Sequence, residues 1–147
     1  MVRLGIGLYG ISCSGLNLEN TGTFKSIVSQ VKTVGTDETI GYNRRGSVFK
    51  ATQIAVVPVG YADGIDRKLS NGKGWGFVQG KRVPVIGNIC MDMLMLDVTG
   101  LNVKSGEEVE FFGQNISILE MAEWAGTIPY EILTGISQRV KRVYLQA

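Results

Sequence analysis

"PVIGNICMDMLMLDVTG", residues 84–100, is the stretch on which the fold turns. Ile, Met, Leu and Cys dominate it, and it reads as a buried β-strand carrying Asp92 in its middle. Ile89, Met91, Met93 and Met95 alternate with Cys90, Asp92, Leu94 and Leu96, so neither face is polar. That is expected where a strand is covered on both sides. A carboxylate in such a run must be turned to water, paired, or kept for a purpose.

Outward from this strand the same texture continues. "GFVQGKRVPVIG" just before it reads as a hairpin turning at Gln79-Gly80, and "EEVEFFG" after it suits a half-buried strand. Upstream, "QIAVVPVGYADG" is an apolar strand ending in a turn, "LSNGKGWG" is a loop, and "TFKSIVSQVKTV" is a strand stopped by "GTDE". "TIGYNRRGSVF" looks like a strand running into an exposed loop, while "MVRLGIGLYGI" and "QRVKRVYLQ" read as strands at the two ends. "SILEMAEWAG" is helical: Ser117 and Glu120 have capping-box spacing, apolar residues recur at helical intervals, and Gly126 supplies the stop. A second short helix can begin at Pro129. Many short strands separated by turns predict a mainly β domain. A closed, Greek-key-like barrel of about six to eight strands with one or two short helices is favoured over a sandwich.

The composition narrows the function. A chain of 147 residues with 44% hydrophobic content can bury one sizeable core. A net charge of +2 from scattered basic residues gives no nucleic-acid footprint. No apolar run nears the roughly 20 residues that span a bilayer, so no membrane partner is expected. Cys13 and Cys90 lie far apart without a secretory pattern, which suits two free thiols and a cytoplasmic location. Histidine is absent. Proton chemistry would then fall to Tyr, Lys, Asp, Glu or Cys, and no metal site is expected.

Gly5, Gly7 and Gly10 spell G-x-G-x-x-G, but a polar linker follows them where a dinucleotide-binding unit needs a helix. Their bare backbone N–H groups can still hold a phosphate in another fold.

"VRLGIGLYG", "IGYN", "VGYADG" and "GNICMDMLMLDV", in this order and with "PYEILTGISQRVKRVY" at the end, resemble the alanine racemases that use pyridoxal phosphate. The wording is most similar to the racemase region fused, in some bacteria, behind a peptidoglycan-precursor ligase. The resemblance implies an N-terminal (β/α)8 barrel bearing the cofactor lysine, which this chain lacks. Residues 1–14 would be the last strand of that missing barrel, 15–22 a linker, and 23–147 the C-terminal β-barrel domain. It implies a homodimer, alanine as substrate and D-alanine for peptidoglycan as product. The isolated chain is expected to be inactive.

Racemisation needs two proton-handling groups on opposite faces of the α carbon. The resemblance makes the absent lysine one of them and Tyr42, reached from a partner subunit, the other. A free phenol has a pKa near 10, so cations would have to lower it; Arg44, Arg45 and Arg67 are the local ones. Tyr61 is implied to line the substrate approach and Arg67 to draw in a carboxylate there. The backbone N–H of Met91 would meet that carboxylate, as a fixed donor with no proton to exchange. Gly5, Ile6 and Tyr130 are implied to grip the cofactor phosphate, and Arg3 to face the pyridine nitrogen. A permanently charged arginine gives that nitrogen no proton. For Asp92 two readings stand: a partner holding the neighbouring loop and tyrosine, or an ion pair with an outward arginine. Two further functions remain open. One is a non-catalytic β-barrel binding or assembly module; the other is a racemase for another small amino acid such as serine.

Overall fold

A computed structural model describes residues 1, 5–12, 14–41 and 46–145. The strands are β1 (Phe24–Ile27), β2 (Gln30–Val34), β3 (Thr39–Ile40), β4 (Gly46–Ser47), β5 (Thr52–Val57), β6 (Trp75–Val78), β7 (Lys81–Pro84), β8 (Leu94–Asp97) and β9 (Glu108–Phe112). The helices are α1 (Ile118–Ala125) and α2 (Pro129–Gly135). The protein is mainly β, and every strand pairing is antiparallel.

The strands fall into three sheets, ordered β1-β9-β6-β7, β2-β5-β8 and β3-β4. Two seams join the larger pair. At one, the chain passes from β1 to β2 with Val28 N–H donating to Glu107 O (2.8 Å) in the first sheet's margin and Ser29 N–H donating to Val56 O (2.8 Å) in the second's. At the other, Val85 bridges Leu96 and Ile86 N–H donates to Met95 O (2.9 Å), linking the end of β7 to β8. Gln79 and Gly80 both have positive φ, 49° and 75°, as the two-residue turn between β6 and β7 requires.

The core lies between these sheets and α1. Val28, Val57, Leu94, Leu96, Val98 and Val109 are fully buried. Ile118, Met121, Ala122 and Ala125 present one helical stripe to them. Ser117 and Glu120 form the expected capping box, and Arg82 of β7 pairs with Glu120 at 2.7 Å, so α1 is fastened to the sheet where it begins. A smaller cluster of Val34, Ile40, Val48, Ile54 and Met95 fills the other side of β5.

Four readings differ from this structure. The stretch from Pro84 to Gly100 is not one strand: β7 ends at Pro84 with a bridge at Val85, residues 86–93 lie in no strand, and Leu94–Asp97 forms the next. Ile89 and Cys90 are buried, but their backbone bonds go to a serine hydroxyl, a neighbouring loop and Met93, which places Asp92 on an exposed bend. In the N-terminal segment Ile6–Tyr9 form a 3-10 turn, not a strand, with Leu8 N–H donating to Gly5 O. β9 is buried from Val109 to Phe112, because the Glu110 carboxylate is taken inside by the N–H groups of Asn115 and Ile116. Residues 136–145 hold no strand; the Arg142 guanidinium instead donates to the carbonyls of Ile136, Ser137 and Val140.

Candidate functional site

Tyr42 and Arg3 lie outside the described residues, as do Arg44, Arg45 and Cys13. The other expected site residues fall into two groups, joined by α2.

The first group is built from loops. After β5, Tyr61–Asp63 makes a single 3-10 turn, and the Asp63 carboxylate accepts the Gly60 N–H at 2.8 Å from a buried position. This turn lies directly on residues 90–91: Tyr61 N–H donates to Cys90 O and Ala62 N–H to Met91 O, both at 3.1 Å. Gly60 permits the approach, since a Cβ there would run into the backbone of Cys90 and Met91. The peptide between Cys90 and Met91 is trans, so its N–H points away from the carbonyl that Tyr61 holds. That N–H donates to no described residue. It is a backbone donor on a loop with two half-exposed side chains, Tyr61 and Met91.

Arg67 belongs to the same assembly. It opens the turn Arg67–Leu69, capped by Asp66, whose carboxylate accepts the Lys68 N–H at 2.8 Å. Ser70 ties the turn down, donating to Arg67 O (2.6 Å) and accepting the Ile89 N–H (3.0 Å). The Arg67 guanidinium is exposed and pairs with no carboxylate among the described residues.

Asp92 does have a partner. Arg139 donates from Nη2 to Asp92 Oδ1 at 2.6 Å and from Nε to Asp63 Oδ1 at 2.7 Å. The ion-pair reading of Asp92 therefore describes its contact. Burial pushes the Asp63 carboxyl up, but the hydrogen bonds from Arg139 and Gly60 outweigh it and hold the group below its ordinary value. The two carboxylates, Asp63 foremost, keep Arg139 protonated.

The second group sits at the other end of α2. The Tyr130 hydroxyl lies against Gly5, where any Cβ would collide with it. The N–H groups of Gly5 and Ile6, at the start of their 3-10 turn, have no acceptor among the described residues. Unpaired backbone N–H groups of this kind are able to hold an anion. From Tyr130, α2 runs about 7 Å along its axis to Gly135 and Ile136, which pack on Gly64, while Ser137 N–H donates to Asp63 O at 3.2 Å. One short helix thus sets the spacing between the two groups.

In the sequence reading Arg139 has no role, and Asp63 falls within the turn that ends "QIAVVPVGYADG". Asp63 stands three residues after Gly60 and makes the reach-back half of a capping box, accepting the Gly60 N–H; glycine brings no side chain for the other half, so the sequence signal is weak. For Arg139 no local signal exists, because its partners lie 47 and 76 residues away. Among the described residues, no cluster of three metal-ligating side chains occurs, and no helix is long and apolar enough to cross a membrane.

Residues 21–144 match the family model described as alanine racemase, C-terminal domain. The alanine racemase of Geobacter sulfurreducens is 44% identical over 99% of this chain, which spans 41% of that relative's length. Among solved structures, the alanine racemase from D-cycloserine-producing Streptomyces lavendulae superposes with a TM-score of 0.92 at 35% identity, covering 99% of this chain and 41% of that one. The Bartonella henselae alanine racemase, solved with covalently bound pyridoxal phosphate, gives 0.90 at 32% identity, covering 96% and 40%.

Proposed function

The chain belongs to the alanine racemase C-terminal domain family, and on that premise we propose that it is the C-terminal part of a full-length enzyme interconverting L- and D-alanine. One observation carries the reading. Supporting it are a Met91 N–H with no acceptor among the described residues, in the loop on which Tyr61 rests, and the unpaired N–H groups of Gly5 and Ile6 where the Tyr130 hydroxyl touches Gly5. These are the positions that the motif match assigns to substrate and cofactor.

In this reading pyridoxal phosphate, when bound, supplies the electron sink that makes the α proton removable. The N–H groups of Gly5 and Ile6 and the Tyr130 hydroxyl hold its phosphate, and Arg3 faces its ring nitrogen. The Met91 N–H takes one oxygen of the alanine carboxylate, Tyr61 narrows the approach, and the exposed Arg67 attracts the incoming anion. Tyr42 takes the α proton of the L-isomer. The lysine that carries the cofactor comes from the preceding (β/α)8 domain, of which residues 1–14 are the final segment, with 15–22 as linker. Tyr42, Tyr61 and Met91 complete the site of a second subunit in a homodimer. The two seams support counting the larger sheets as one closed barrel, with β1 and β2 as a single bent strand. Large apolar side chains in solvent, Phe49 (96% exposed) and Leu145 (89%) among them, suit a face covered by the rest of the enzyme.

The test is the full-length protein with added cofactor, assayed for D-alanine from L-alanine and, in parallel, for D-serine from L-serine. Turnover of alanine above serine is expected. Tyr42→Phe should cut L-to-D turnover by about 10²–10⁴-fold, the usual worth of a positioned acid–base group. Full activity in that variant would end the assignment of Tyr42.

A further inference from the structure

Neither Tyr61 nor the Met91 peptide is held by a strand ladder, yet both must keep one orientation if they are to receive a carboxylate. Besides the two backbone bonds from Tyr61 and Ala62, one side chain spans them. The Arg139 guanidinium uses two of its nitrogens on two carboxylates from different loops: Nε on Asp63 Oδ1 (2.7 Å) and Nη2 on Asp92 Oδ1 (2.6 Å). Asp92 adjoins Met91 in sequence. Asp63 is the last residue of the turn that begins with Tyr61, and its second oxygen holds the Gly60 N–H. Arg139 is itself held in place: Arg142 gathers the carbonyls of Ile136, Ser137 and Val140, and Ser137 Oγ accepts the Arg139 N–H at 3.4 Å.

We propose that Arg139 is a positioning residue for the substrate carboxylate: by pairing with Asp63 and Asp92 at once, it locks the Tyr61 loop to the Met91 loop and fixes the direction of the Met91 N–H. The inference rests on the racemase reading and adds to it a residue with no role there. The guanidinium suits the task for a reason of shape. Its planar fork reaches two acceptors at a fixed angle, whereas an ammonium is a point charge on a flexible stem. Lysine at 139 would keep the charge and lose the geometry. Without the brace, the bonds from Tyr61 N–H to Cys90 O and from Ala62 N–H to Met91 O are left to tie the loops alone.

The test uses the full-length holoenzyme with Arg139→Lys and, separately, Asp92→Asn, which breaks only one arm at an exposed carboxylate. A donor that holds the carboxylate equally in ground and transition states raises KM when misplaced and leaves kcat nearly unchanged. KM for alanine should therefore rise about tenfold in Arg139→Lys and severalfold in Asp92→Asn, with kcat within about threefold of wild type. Hydrogen exchange gives a readout independent of activity: the amides of Tyr61 and Ala62 should exchange about tenfold faster, while those of Val57 and Leu96 stay unchanged. Unaltered KM and unaltered exchange at those two amides would overturn the proposal. Faster exchange throughout the core would overturn it too, by making Arg139 a general structural residue. A wild-type enzyme that fails to racemise alanine sinks the racemase reading and this inference's substrate clause together. Normal wild-type turnover with unchanged variants sinks this inference alone.

Discussion

Around Tyr61 and Met91 the chain ties loop to loop. Two backbone bonds join residues 60–62 to 90–91, Ser70 pins the Arg67 turn to Ile89, and Arg139 crosses between two carboxylates. Around Gly5 and Tyr130 the bracing is thinner: the Thr21 hydroxyl donates to Leu8 O, the Tyr130 hydroxyl rests on a glycine, and the Gly5 and Ile6 N–H groups have no acceptor among the described residues. The first region is organised by the domain itself. In the proposed reading the second takes a cofactor phosphate, which should protect its amides from exchange. Substitutions in the two regions should therefore register in different measurements.

The largest effect is expected at Gly60. Gly60→Val places a branched side chain where the backbone of Cys90 and Met91 already lies. It should cost about 3 kcal/mol of stability or more in urea denaturation, by forcing the two loops apart. Gly5→Ala makes the complementary break. It should weaken cofactor binding about tenfold, near 1.4 kcal/mol, when apoenzyme is titrated by absorbance, with little change in Tm. Equal losses of stability in the two variants would erase the contrast.

Of the two regions, the braced one should be the one that acid loosens. The Asp63 carboxyl is held below its ordinary value, 3.8, so its stabilising contribution is fully present above that pH and fades as pH falls through the depressed folded value. Urea midpoints between pH 7 and pH 3 should decline less steeply in Asp63→Asn than in wild type. At the bottom of the scale is the exposed pair of Lys25 on β1 and Glu108 on β9, at 3.1 Å. Lys25→Met should change stability by less than about 0.5 kcal/mol and neither KM nor cofactor affinity.

Features governed by neighbours in sequence were legible without coordinates. The capping box of α1, Pro129 opening α2 and the tight turn at Gln79-Gly80 each depend on residues within four positions. Residues 89–93 were not, because an apolar run that dives into a core looks the same whether its backbone pairs with a strand or with a loop. "QRVKRVYLQ" alternates like a strand, but its arginines decide its path by seeking carbonyls and carboxylates instead of leaving the backbone to a ladder. The site divides along the same line. Gly5, Met91 and Tyr130 could be marked by motif. Arg139 could not, because its meaning depends on two aspartates that only the folded chain brings to it.

The placement of β9 has a consequence for how the domain is assembled during synthesis. β2, β5 and β8 have all been made by Asp97, whereas β1 pairs with β9, Phe24 opposite Phe112, and β9 also pairs with β6. A chain emerging from its N-terminus therefore holds β1 and the β6–β7 hairpin unjoined until residue 112 appears. β9 is the keystone, and its late arrival makes closure of that sheet the slow, non-local step of folding.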